Sequence, residues 1–184
     1  AEKYGNRDRL FYYASTSKVT FPGCGVAIMA ASENNRKQMD SYVSAQTIGY
    51  DKLNQLRHLK YFGNADNVYK HMLNLGSVIK SKFDIVLSSL DSLNGLGVAD
   101  WTVPNGGYFI SLDCMNGTAK RVYSLMKEAG VVLTPPGATY PYGKDPYDSN
   151  LRIAPTYPSD EDLRTASDIL ALSVKIAALE KLNA

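Results

Sequence analysis

From Val68 onward the apolar positions fall into one register: Val68, Met72, Leu75, Ile79, Phe83, Val86 and Leu90 are three or four residues apart. That spacing gathers side chains on one face and predicts a long amphipathic helix beginning after Gly63-Asn64. The pattern before it is different. Residues 9 to 14 and Gly25 to Ala31 are short apolar runs bounded by small or polar residues, which predicts two strands, the second of them buried. Ser32 then offers an N-cap to a helix over Glu33 to Ala45, Thr47-Ile48-Gly49 breaks it, and Asp51 to Phe62 reads as a further helix. After the long helix, Leu96 to Val103, Gly107 to Asp113, Val131 to Thr134 and Leu151 to Ala154 read as short strands. Thr118 to Ala129 and Ser159 to Leu182 read as helices, the last opened by Ser159 three residues before Asp162, with Pro158 ahead of it. The order predicts a first segment over residues 1–64 and a small α+β domain over residues 65–184.

Composition narrows the function. A chain of 184 residues, 45% hydrophobic and 21% charged, can bury the core of one domain plus a remnant. It has no apolar run long enough to span a bilayer and no signal-peptide pattern, so no membrane role is expected. The net charge of +2 is spread over interspersed acids and bases, which makes no case for nucleic acid. Cys24 and Cys114 show neither metal-ligand spacing nor a disulfide framework, so no metal site is expected and a reducing, cytoplasmic setting is.

One lysine stands out. Lys18 ends the segment Phe11-Tyr12-Tyr13-Ala14-Ser15-Thr16-Ser17 and precedes Val19-Thr20-Phe21-Pro22-Gly23-Cys24-Gly25, which places an amine where a strand runs into a loop. Open α/β sheets bind ligands at such ends. A lone lysine is ordinarily a solvated charge, but Phe11, Tyr12, Tyr13, Val19 and Phe21 predict apolar surroundings. Those would disfavour the ammonium form and favour a nucleophile. Ser15, Thr16 and Ser17 add hydroxyl donors, and Gly23 and Gly25 let backbone approach an anion. An amine beside an anion cradle is what a phosphorylated aldehyde cofactor requires.

Ser15-Thr16-Ser17-Lys18 with Pro22-Gly23 resembles the Ser-x-Ser-Lys element of fold-type-I pyridoxal-phosphate aminotransferases, and the string through Val26-Ala27 is most similar to the MocR-type class I/II branch that includes bacterial aspartate aminotransferases. The resemblance continues through Pro104 to Ser111, Ala129 to Gly137 and Asn150 to Pro155, covering nearly the whole chain in order. It implies the tail of a large α/β domain followed by a small α+β domain. It also implies pyridoxal 5'-phosphate attached covalently through Lys18, with Ser15 and Ser17 on the cofactor, and amino-group transfer between an amino acid, aspartate or glutamate, and a 2-oxo acid. In such enzymes the aspartate that meets the pyridine nitrogen and the aromatic residue that stacks on the ring lie well before the lysine, whereas 17 residues precede Lys18 here. The chain is therefore expected to be the C-terminal part of a longer enzyme and to be inactive alone.

Arg152 opens the apolar strand Ile153-Ala154 after a polar loop, and a guanidinium can clasp a carboxylate through two parallel hydrogen bonds. By spacing alone a surface ion pair is the default reading. The resemblance aligns Arg152 with the arginine that holds the substrate α-carboxylate and implies that Lys18 and Arg152 meet across the domain boundary. Gly106-Gly107 reads equally as a hairpin turn or as a turn narrowing the substrate mouth, and Tyr140 and Tyr142 as entrance walls or loop packing. Lys52, Arg57 and Lys144 are candidate cations for a second carboxylate, each also readable as a solvated charge. Gln46 to Gly49 falls where related dimers lend a segment to the neighbouring site, which implies a homodimer. One departure is that many relatives carry a phosphate-pairing arginine seven or eight residues after the lysine, where this chain has Gly25 and Val26. The alternative implied by the resemblance is an aminotransferase-like, effector-sensing domain of a bacterial transcriptional regulator.

Overall fold

In the computed structural model, which describes residues 2–184, the first apolar runs form β1 (Phe11–Ser15) and β2 (Ala27–Ala31). They pair antiparallel from Phe11 opposite Ala31 to Ser15 opposite Ala27. Among the described residues these strands pair only with each other. A two-stranded ladder has little to cover its faces, and Tyr12, Tyr13 and Ile28 are all exposed. This corrects the expectation that the second strand is buried: the composition suits a covered strand, but no described element covers it.

The helices follow their capping signals. Ser32 Oγ accepts the Asn35 amide at 3.2 Å to start α1 (Glu33–Gln46), and Asp51 Oδ1 accepts the Asn54 amide at 2.9 Å to start α2 (Lys52–Phe62). The long register becomes α3 (Ala65–Leu90). The chain divides into two compact units, Ala1–Leu75 and Gly76–Ala184. The sequence puts its boundary between residues 64 and 65, at the head of α3, and the compact units divide within that helix.

The second unit has its own core. β3 (Ala99–Trp101), β4 (Ile110–Cys114) and β5 (Asn150–Ile153) form an antiparallel sheet in that order. Phe83, Val86 and Leu90 of α3 join Ile110, Leu112, Leu151 and Ile153 of the sheet in one cluster. Val122 and Met126 of α4 (Ala119–Glu128) and Leu170 and Val174 of α5 (Asp160–Leu182) complete it. Strand alternation then turns Ser111, Asp113, Asn150 and Arg152 toward the opposite face, where Ser111 is registered with Arg152 and Asp113 with Asn150.

Three strand expectations change. Leu96 to Val103 shortens to β3, Gly107 to Asp113 starts only at Ile110, and Val131 to Thr134 forms no strand. The end of α4 explains the last. Gly130, at φ +84°, donates its amide to Lys127 O at 3.0 Å, and Val131 donates to Met126 O at 2.8 Å, a helix-closing pair that consumes the Val131 donor. Pro135 and Pro136 follow and have no amide to offer a ladder. Among the described residues no helix is long and apolar enough to cross a membrane and no cluster of metal-ligating side chains occurs. Both cysteines are free, and burial, with the Asp113 and Asp148 charges nearby, pushes the Cys114 thiol up to about 12.

Candidate active site

Lys18 sits on a tight turn leaving β1. The amides of Val19 and Thr20 both donate to Thr16 O at 2.9 Å, which closes the chain around the lysine and leaves Lys18 exposed. The apolar surroundings expected from Phe11, Tyr12 and Tyr13 are not found, because those side chains lie on the uncovered β1–β2 ladder. Ser15 Oγ accepts the Ser17 amide at 3.2 Å and donates to Ser17 Oγ at 3.1 Å, so the two hydroxyls are held to each other at the residues just before the lysine. Gly25 passes so close to Ser17 that a β-carbon there would fall 2.6 Å from Ser17 Cα. Only glycine permits that approach. A primary amine and two hydroxyls on one exposed turn, backed by glycine backbone, form a donor set that suits a phosphate joined to a carbonyl carbon.

The loop is anchored from the helices. Thr20 is buried, with Oγ1 2.9 Å from His58 Nε2 on α2, while its carbonyl lies 3.2 Å from His71 Nε2 on α3. Asn54 Nδ2 donates to Cys24 O at 2.8 Å, and Phe21 packs among His58, Tyr61, Phe62 and His71. Arg57 Nη1 reaches 3.7 Å from Cys24 Sγ, whereas Lys52 and Lys144 are exposed on their helix end and loop. The histidines were missed by sequence reasoning. A lone His on a helix carries no local sign of its partner, and the usable signal was that the chain has two histidines and both fall in predicted helices.

Arg152 belongs to the second unit. Its guanidinium carbon lies 4.5 Å from the centroid of the Phe109 ring, and Nη2 donates to Thr134 Oγ1 at 3.3 Å. Its Nε is buried with no hydrogen-bond partner. Among the described residues no carboxylate is paired with this guanidinium. Beside it Asn150 donates to Ser111 Oγ and Asp113 Oδ1, each at 2.8 Å, and accepts from Thr139 Oγ1 at 2.7 Å. Such an arrangement leaves a fixed, stacked cation with donor capacity for an incoming anion.

The loop before β5 is set by Asp145. Its carboxylate accepts the amides of Tyr147 at 2.9 Å and of Ser149 and Asn150 at 2.8 Å. Partial burial raises its pKa, but bonds from the Asn150, Tyr147, Ser149 and Asp148 amides outweigh that and hold it below the usual value. Asp145 therefore stabilises the fold fully above the ordinary carboxylate pKa, about 3.9, and that contribution is lost as pH falls through the lower folded value. Asp145→Ala is expected to lower stability by about 2 kcal/mol and to flatten the acid limb of urea unfolding between about pH 5 and pH 2. An unchanged acid limb would show that the loop holds without it. Tyr140 is half-buried and Tyr142 fully exposed at φ +59°. Burial, then the Asp145 and Asp113 charges and Tyr147, raise the Tyr140 phenol. Gly106-Gly107 lies in the loop joining the antiparallel strands β3 and β4, as the turn reading expects.

The whole chain, residues 1–184, matches the family described as aspartate amino-transferase, and the protein belongs to that family. It is 48% identical over 179 residues to a Mycolicibacterium smegmatis protein provisionally named an aminotransferase, and 47% identical over 180 residues to an aspartate aminotransferase of Corynebacterium glutamicum. Each comparison covers 97% of this chain and 42% of the relative, so the chain spans less than half the length of these curated relatives. The crystal structure of an aspartate transaminase from Corynebacterium glutamicum superposes with a TM-score of 0.92 at 46% identity, over 98% of this chain and 43% of that one. The mixed helix-and-sheet fold is thus that of the corresponding region of aminotransferases.

Proposed function

We propose that this chain is the C-terminal part of a longer pyridoxal 5'-phosphate-dependent aminotransferase, which moves an amino group between an amino acid, aspartate or glutamate, and a 2-oxo acid. The observation that carries the reading is the Lys18 turn, which presents the amine with the Ser15 and Ser17 hydroxyls and a glycine-backed cradle. Residues 1–64 are then the tail of the large cofactor domain and residues 65–184 the small domain. Ser15 and Ser17 would hold the cofactor phosphate, and Lys18 would attach the cofactor covalently. When bound, the cofactor supplies the electron sink that acidifies the substrate α-carbon. With its amine free, Lys18 would take the substrate α-proton and return it. Arg152 orients the substrate through its α-carboxylate, which is the acceptor that the buried Nε lacks.

The exposed Ile48 in the segment between α1 and α2 supports a homodimer in which this segment meets the neighbour. Two free cysteines support a reducing, cytoplasmic setting. An enzyme is favoured over a regulator's sensing domain because the relatives near half identity are named aminotransferases. The test is to incubate the longer protein with pyridoxal phosphate, reduce with borohydride and map the modified peptide by mass spectrometry, with light scattering to read the dimer. Label on Lys18 is the expected result. A labelled protein without modified Lys18 would overturn the assignment.

A further inference from the structure

Both of the chain's two histidines end on one residue. That residue is Thr20, two positions after Lys18 and 4% exposed. We propose that His58 and His71 are positioning residues for Lys18, acting through Thr20 to hold the lysine turn against α2 and α3. The proposal rests on the reading of Lys18 as the reactive amine and adds what fixes it.

The bonding is constrained by what each atom can do. His58 Nδ1 lies 2.9 Å from Asn54 O, and a carbonyl only accepts, so Nδ1 carries the proton. In the neutral ring Nε2 is then an acceptor, placed 2.9 Å from Thr20 Oγ1. Thr20 Oγ1 also lies 3.0 Å from Thr16 Oγ1, which accepts the Val26 amide at 2.9 Å. The contacts therefore run from Val26, just before β2, through Thr16 and Thr20, to the ring of His58 and the backbone of α2. His71 Nε2 donates to Thr20 O at 3.2 Å, so a second helix grips the same residue by its carbonyl. The Phe21 ring stands 5.1 Å from His58 and 5.3 Å from Phe62, between centroids, which shields these bonds from water.

This matters because Lys18 itself is exposed and has four side-chain torsions. The backbone of the turn sets where that side chain starts, and proton transfer is sensitive to displacements of about 1 Å. The Thr20 amide already closes the turn on Thr16 O, and its hydroxyl and carbonyl each meet a ring nitrogen that ties the turn to a helix.

The test uses the longer, cofactor-loaded protein with Thr20→Val, which keeps the side chain's shape and removes the hydroxyl, Thr20→Ser, which keeps the hydroxyl, His58→Phe and His71→Phe. Thr20→Val and His58→Phe are each expected to lower kcat by about 10- to 100-fold, with KM for the amino donor changing less than about threefold. Thr20→Ser should stay within about threefold of the parent, and the Thr20→Val/His58→Phe double variant should be no worse than Thr20→Val alone, because the Thr20–His58 bond is already lost in it along with the hydroxyl's contacts to Thr16. In the cofactor-free protein, amide exchange over residues 16–26 should quicken in Thr20→Val and His58→Phe and not in Thr20→Ser. Unchanged kcat and unchanged exchange in the two variants would overturn the proposal, as would a loss confined to KM. Should Thr20→Val fail to fold, His71→Phe, which touches only the Thr20 carbonyl among these bonds, gives the same reading. Borohydride labelling of the parent separates the two ideas: no label on Lys18 sinks the underlying assignment, whereas label on Lys18 with indifferent variants sinks only the brace.

Discussion

Lys18→Ala in the longer protein is expected to lower kcat by at least about 10⁴-fold, the upper range for a positioned acid–base group, with the loss of covalent attachment adding to it. Cofactor binding should weaken without disappearing, since Ser15, Ser17 and the glycine-backed turn are untouched. Lys18→Arg is the informative companion. It keeps a positive charge at the same exposed place on the turn, but a guanidinium stays protonated and forms no such linkage, so it should be as inactive as the alanine variant. Because the side chain is exposed, neither change should move stability by more than about 0.5 kcal/mol. Steady-state turnover with aspartate and a 2-oxo acid measures the effect. Activity within about tenfold of the parent in either variant would remove Lys18 from the chemistry, since no bystander charge accounts for a loss on the scale of acid–base catalysis.

What could be read from the chain depended on how local each determinant was. The face Val68 to Leu90 is written in consecutive turns of one helix, and α3 follows it; Ser32 and Ser159 carry their capping partners three residues away, and both cap as expected. The family resemblance was legible for the same reason, being carried by short contiguous strings around Lys18, Gly107 and Arg152. Val131 to Thr134 has strand-like composition, but its first amide is taken by the closure of α4, an event decided by Gly130 and the helix before it. Apolar surroundings for Lys18 were inferred from Phe11, Tyr12 and Tyr13, and a strand's neighbours are set by pairing partners that residue types alone do not name. The grip of His58 and His71 on Thr20 spans 38 and 51 positions, so no local pattern announces it. Arg152 shows both sides: its place on the polar face follows from period-two alternation beside Leu151 and Ile153, while its stacking on Phe109 and its orphaned Nε come from the registered strand and the loop beyond it.

Arg152→Ala should lower kcat/KM for the amino acid by about 10²- to 10³-fold, corresponding to the roughly 3–4 kcal/mol typical when one partner of a buried, hydrogen-bonded charge pair is removed. Arg152→Lys should recover little of it, because an ammonium keeps the charge and loses both the planar fork and the stacking on Phe109. The surface-ion-pair reading makes a different forecast. An exposed pair is worth at most about 1 kcal/mol, which would appear in stability and leave kcat/KM within about fivefold. The geometry separates the two. Nε is buried without an acceptor, no carboxylate among the described residues pairs with the guanidinium, and the core beneath is built by Leu151 and Ile153. Removing the side chain therefore takes away a stacked cation with an unused donor and little of what holds the sheet together. A variant that unfolds normally but binds a dicarboxylate substrate analogue at least about a hundredfold more weakly would locate the loss in carboxylate recognition. Unchanged binding together with a lowered unfolding midpoint would return Arg152 to a structural role.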